Sequence, residues 1–199
     1  MNSQKILVSY LINIGVLQSK LLIKAFESVD RKDFVLPSFK EEAYENYPLS
    51  IGNSQTISQP YTVAFMLELL DLNKNDTVLD IGVGSGWTSA IMGSIVKKVT
   101  GVERIVELLD FAKHNLQKYN FNNVSFKEAG SELGRPKEKF NKILVSAAAK
   151  SLPETLLNQL KPKGNLVIPI NNDILLIHKK DENIYEKRVF SGFVFVPLL

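Results

Sequence analysis

Three glycines at alternating positions, Gly82, Gly84 and Gly86, follow the apolar run Val78-Leu79-Asp80-Ile81. Glycine reaches positive φ without steric cost and lets a ligand approach the backbone closely. Ala90, Ile91, Ile95 and Val96 then continue at helical spacing. A strand, a glycine turn and a helix make the nucleotide-binding corner of an open α/β sheet. About 20 residues beyond the turn, a second apolar run ends in Glu103, where an acidic side chain meets ribose hydroxyls in such folds. Two plainer readings stand beside these. The turn could simply join strand to helix, and Glu103 could face the N-terminal dipole of the helix expected over 104–119.

Spacing narrows the ligand. A dinucleotide fingerprint needs a third glycine at position 87, and Trp87 stands there, where it is expected to obstruct close helix–strand packing. A phosphate loop needs Gly-Lys-Ser/Thr, and Gly86 is followed by Trp87-Thr88. Asp80-Ile81-Gly82-Val83-Gly84-Ser85-Gly86 resembles motif I of the S-adenosylmethionine (SAM) methyltransferases. That resemblance implies a turn that cradles an amino-acid tail and a ribose.

The second chemically unusual stretch is 48–60, rich in hydroxyls and amides and poor in charge. It reads as a loop leading into a nearly all-apolar helix over 61–70, which must be buried. Pro60 suits the first turn of that helix, and Thr56 or Ser58 could cap it. One polar residue suffices for a cap. Gln55, Thr56, Ser58 and Gln59 together point to a site that hydrogen-bonds something else.

The whole chain sets bounds. Its 199 residues suit one domain with a substantial core, and 45% hydrophobic with 23% charged residues is ordinary for a globular protein. No apolar run is long enough to span a bilayer and no signal-peptide pattern opens the chain, so a cytoplasmic protein with no membrane partner is expected. There is no cysteine, and His114 and His178 lie far apart, so no metal site is expected. A net charge of +3 does not argue for nucleic acid.

The positioning elements follow. Residues 3–29 read as two helices, the first with an apolar stripe of Ile6, Leu7, Tyr10, Leu11 and Ile14, the second capped by Ser19 with Leu22, Ile23, Phe26 and Val29 inward. Asp30-Arg31-Lys32-Asp33 reads as a charged exit. These segments are expected to cap the ligand edge of the sheet. Strands are expected over 78–81, 99–103, 124–127, 142–146, 165–170, 174–179 and 189–196, with helices over 104–119 and 153–160. The fold class is α/β: a Rossmann-like sheet, mostly parallel with an antiparallel edge, plus an N-terminal helical cap. Residues 1–60 form the cap and substrate loop, and 61–199 the core.

Residues 51–60, with Gln55-Thr56-Ile57-Ser58-Gln59-Pro60, are similar to the signature loop of the protein-L-isoaspartate O-methyltransferases. The order continues through 78–86, Val102-Glu103-Arg104, Ala147-Ala148-Ala149, Leu160-Lys161-Pro162-Lys163-Gly164 and Phe195-Val196-Pro197-Leu198, and Val29-Asp30-Arg31 with Phe34 resembles the family's N-terminal cap. The resemblance covers nearly the whole chain. It implies methyl transfer from SAM to the α-carboxylate of isoaspartyl residues in damaged proteins or peptides, with S-adenosyl-L-homocysteine as product. It maps the active-site serine onto Ser58, and places Gln55, Thr56 and Ile57 along the cofactor with Gly82, Gly84, Ser85, Gly86 and Glu103. Ala147 and Ala148 leave room for a peptide backbone. A monomer is expected.

The chain departs from the family at Ala129-Gly130-Ser131, where an Asp usually accepts from the adenine amino group. With Gly130 there, cofactor binding is expected to be weaker; Glu128, Ser131 or Glu132 are the local substitutes. Ser54 also stands where a glycine is frequent. Methyltransferases of nucleic-acid bases carry Asn/Asp-Pro-Pro-aromatic after the fourth strand, and Ser146-Ala147-Ala148-Ala149 offers neither amide nor stacking ring. Two further readings fit the same residues: a carboxyl methyltransferase of one dedicated peptide, and a non-catalytic cofactor-binding domain.

Overall fold

The computed structural model describes residues 3–198. Two helices, α1 (Gln4–Asn13) and α2 (Lys20–Ser28), come first, and Ser3 and Ser19 cap them by accepting from Ile6 N and Leu22 N. Two short 3-10 turns follow, Arg31–Phe34 and Pro37–Phe39. A hairpin, β1 (Leu49–Gly52) and β2 (Gln55–Ile57), leads to α3 (Pro60–Leu70). The remainder runs β3 (Thr77–Ile81), α4 (Trp87–Gly93), β4 (Lys98–Glu103), α5 (Val106–Leu116), β5 (Val124–Glu128), β6 (Phe140–Val145), α6 (Glu154–Gln159), β7 (Leu160–Ile170), β8 (Asp173–Asp181) and β9 (Ile184–Ser191).

The seven-stranded sheet has the order β5-β4-β3-β6-β7-β8-β9. Pairs from β5 to β7 are parallel, and β7–β8 and β8–β9 are antiparallel. The expected mostly parallel centre and antiparallel edge are therefore present. The chain moves outward from β3 to β4 and β5, then crosses back to β6 on the other side of β3. Ligands of open α/β sheets bind at such a reversal, beyond the carboxyl ends of the strands.

Alternate residues of the strands pack on opposite faces. Val78, Leu144, Val167 and Leu176 join one core with α1 to α4. Leu79, Ile143, Leu166 and Leu175 join the other with Leu156 of α6.

Several expectations are corrected. In α1 the buried residues are Gln4, Leu7, Val8 and Leu11, while Ile6, Tyr10 and Ile14 are exposed. Gln4 sets that rotation by donating to the carbonyls of Phe26 at 2.6 Å and Val29 at 3.1 Å. Helices α1 and α2 add core, and the hairpin, not the helices, reaches the ligand edge. The stretch read as a loop is that hairpin. Its tip, Gly52-Asn53-Ser54, has positive φ throughout, which is why a glycine suits position 54. Helix α5 is shorter than 104–119. The last strand begins at Ile184, and 192–198 is a separate segment that bridges Ala148 to Pro197. Trp87 does not obstruct packing: it is fully buried against Phe26 of α2, edge to face with ring centres 5.7 Å apart. Among the described residues, no helix is long and apolar enough to cross a membrane, and no group of three metal-ligating side chains occurs.

Candidate active site

A cavity of about 350 Å³ opens beyond the carboxyl ends of β3, β4, β5 and β6, a size within the range of small-molecule sites. Its lining includes Gln55, Thr56, Ile57 and Ser58 from the hairpin side, Gly82, Gly84 and Ser85 from the turn, Glu103, Gly130 and Ala147. Two expected residues lie outside that lining. Gly86 packs against α5, where an added Cβ would come 3.2 Å from Ala112 Cβ. With φ at +90°, Gly86 thus supplies the close approach that a dinucleotide site draws from a later glycine. Ala148 is held by the C-terminal segment: its N–H donates to Val196 O, and its carbonyl accepts from Leu198 N, both at 2.8 Å.

The turn is supported from behind by α5. Asn115, buried, donates to the Ser85 carbonyl at 3.0 Å. In front, the hairpin meets the turn directly: a Cβ on Gly84 would lie 3.3 Å from Ile51 Cδ1.

Glu103 is nearly buried and does two things. Oε1 accepts from Arg104 N at 2.8 Å and Ile105 N at 3.0 Å, at the start of α5. Oε2 accepts from Gly84 N at 2.9 Å. Glu103 thus ties the glycine turn to the start of α5. Three N–H groups leave one carboxylate lone pair, on Oε2, for a ligand hydroxyl.

Asp80, in the motif itself, is fully buried. Its Oδ2 accepts from Ser89 Oγ at 2.5 Å, and its Oδ1 has no hydrogen-bond partner among the described residues. Burial pushes its pKa up to about 7; the Ser89 bond opposes the shift and the Glu103 charge adds to it.

Ser58 is half-buried between β2 and α3. It does not cap α3: the N-cap residue is Gln59, with no side-chain cap bond, and Tyr61 N donates instead to Asn46 Oδ1 at 3.0 Å. Removing the capping explanation strengthens the reading of this stretch as a site. Of the local substitutes for the adenine-side acid, Ser131 and Glu132 line the cavity and Glu128 does not. An added Cβ at Gly130 would meet nothing within 4 Å.

Residues not anticipated from sequence also line the cavity: Trp87, Thr88, Ser146 and, from the C-terminal segment, Val196, Pro197 and Leu198. The resemblance at 195–198 is the signal for the last group; the strand expected over 189–196 takes in Val196 and stops short of Pro197 and Leu198.

The donor set suits a cofactor without phosphate. Residues 82–88 carry no cation, while an acid stands at the end of β4. A model of the protein-L-isoaspartate(D-aspartate) O-methyltransferases matches residues 2–199. A protein-L-isoaspartate O-methyltransferase of Methanopyrus kandleri is 39% identical over 97% of this chain and 89% of its own. One from Vibrio campbellii is 41% identical over 97% of this chain and 94% of its own. A Plasmodium falciparum structure assigned to the same enzyme, in complex with S-adenosyl-L-homocysteine, superposes with a TM-score of 0.89 at 25% identity, covering 100% of this chain and 99% of that one.

Proposed function

The chain belongs to the protein-L-isoaspartate(D-aspartate) O-methyltransferase family, and from that premise we propose that Ser58 holds the isoaspartyl α-carboxylate against a methyl donor seated on Gly82, Gly84 and Glu103. The enzyme is a SAM-dependent protein carboxyl methyltransferase. The bound cofactor supplies a methyl group activated by its sulfonium and is left as S-adenosyl-L-homocysteine.

The chain's own part is placement. A carboxylate with a pKa of about 4 is ionised at neutral pH and needs no general base to become a nucleophile. It needs to be held in line at about 3 Å from the carbon it attacks. A serine hydroxyl donates to one carboxylate oxygen and leaves the other free to form the new C–O bond. A lysine there would hold the substrate more tightly and quench the attack.

Glu103 takes a ribose hydroxyl on its remaining lone pair, Gln55, Thr56 and Ile57 flank the cofactor, and Ser131 and Glu132 lie nearest Gly130 for the adenine edge. Ala147, small and beside Ser146, leaves space for a peptide main chain. The C-terminal segment 196–198, bridged to Ala148 through Pro197, lines the same cavity. A monomer is the state proposed for this chain.

The observation that carries this reading is that Ser58 and the glycine turn line one cavity while the Ser58 hydroxyl has no structural duty as a cap. The test is a pair of peptides differing only in isoaspartyl against aspartyl linkage, incubated with labelled SAM. Label in the isoaspartyl peptide alone is the expected result. Label in neither, with cofactor bound, would overturn it in favour of a binding module.

A further inference from the structure

Arg31 stands in a run of charged residues that reads locally as solvated, yet it is fully buried. Among the described residues, the four acceptors around its guanidinium are all backbone carbonyls. Nη1 donates to Ala43 O at 2.8 Å and Glu45 O at 3.2 Å, and Nη2 to Tyr47 O and Ser58 O, both at 3.1 Å. The guanidinium lies 5.4 Å from the centre of the Trp87 ring. Among the described residues no anion pairs with it; burying such a cation is costly, and burial pulls its pKa down to about 9.

The placement of these contacts suggests what the cost supports. Ser58 follows β2 and precedes α3, outside both, so its carbonyl is held by Arg31 and not by a ladder or a helix. Segment 43–47 has no regular structure of its own. It is sewn to the serine by Arg31 and by Gln59 Nε2, which donates to Asn46 O at 2.8 Å. Trp87 opens α4 directly after Gly86. One side chain therefore touches the serine's backbone on one side and the residue that ends the glycine turn on the other.

We propose that Arg31 is a positioning residue for methyl transfer: by bonding the Ser58 carbonyl while stacking on Trp87, it sets the distance between the Ser58 hydroxyl and the glycine turn. The proposal rests on the reading of Ser58 given above. A planar fork with several donors can hold carbonyls from separate segments at fixed angles, and an ammonium cannot. A displacement of about 1 Å at a reacting centre costs about a hundredfold in rate.

The test measures turnover per S-adenosyl-L-homocysteine-binding site, with an isoaspartyl peptide, for Arg31→Lys, Arg31→Gln, Ser58→Ala and the Arg31→Lys/Ser58→Ala double variant. Counting sites removes any unfolded fraction. Expected are a product affinity close to that of the unaltered protein in the Arg31 variants, and a kcat lower by about tenfold or more. The double variant should be no slower than Ser58→Ala, because Arg31 acts through that serine. Independent, additive losses would overturn the proposal, as would a loss of product affinity equal to the loss of kcat. Turnover lost in Ser58→Ala but intact in both Arg31 variants overturns this proposal alone. Full turnover in Ser58→Ala removes the serine reading and this one with it. Failure of both Arg31 variants to give folded, product-binding protein would assign Arg31 to the fold and likewise overturn the proposal.

Discussion

Glu103 Oε2 accepts the amide of Gly84 at 2.9 Å, so the acid at the end of β4 and the middle glycine of the turn after β3 are one unit. The strands are parallel neighbours with Ile81 opposite Val102, which brings the turn and the acid to the same level.

Replacing Glu103 by Gln tests that unit. An amide has one acceptor oxygen for three N–H groups, and its own NH₂ would face donors. Hydrogen bonds to a charged group contribute about 1.5–3 kcal/mol, so SAM affinity should fall about ten- to a hundredfold by calorimetry. Unchanged affinity would confine Glu103 to holding the turn and the start of α5, with no part in the ligand.

Ser58→Ala should separate chemistry from cofactor binding. Losing one hydroxyl bond to a carboxylate costs about 1.5–3 kcal/mol, or about ten- to a hundredfold in turnover, while SAM affinity stays unchanged. An equal fall in both would move Ser58 to a structural role.

Gly130→Asp should restore an acid on the adenine side. The space is open and Gly130 is not among the positive-φ residues, so a side chain fits without strain. A hydrogen bond contributes about 0.5–1.5 kcal/mol net, which predicts SAM binding tighter by about two- to tenfold. If affinity does not rise, Ser131 or Glu132 already serves the amino group.

Asp80 makes stability depend on pH. Its pKa is about 7 when folded, raised by burial, against about 3.9 in an unfolded chain. Between these values the folded state holds the extra proton, so stability falls as pH rises through the window and levels off above it. Asp80→Asn keeps the neutral shape. The difference in urea-unfolding free energy, unaltered protein minus variant, should therefore decline from pH 5 to pH 8. Parallel curves would show that Asp80 is ionised in the folded protein throughout.

Much of this was legible in local sequence. Glycine identity at 82, 84 and 86 follows from backbone sterics, and the spacing to Glu103 follows from one crossover between adjacent parallel strands. The apolar runs of β3, β6 and β7, buried on both faces, and the nearly all-apolar α3 state their own burial. Such features depend on residues close together in the chain, and the pattern carries them.

Other features depend on groups far apart, and no local pattern encodes them. Arg31 looks solvated among its charged neighbours; only the fold brings carbonyls 12 to 27 positions away around it. Gly86 looks like a ligand contact until α5 lays Ala112 against it. Ile6 and Tyr10 fit an apolar stripe as well as Leu7 does, and the distant carbonyls of Phe26 and Val29, by drawing in Gln4, select which side of α1 is buried. Local sterics and strand spacing already specify the glycine corner, its acid and the alternation of the sheet. Which polar groups are buried, and what they hold, emerges only when distant segments meet, because a buried hydrogen bond belongs to two partners and the chain states only one of them at a time.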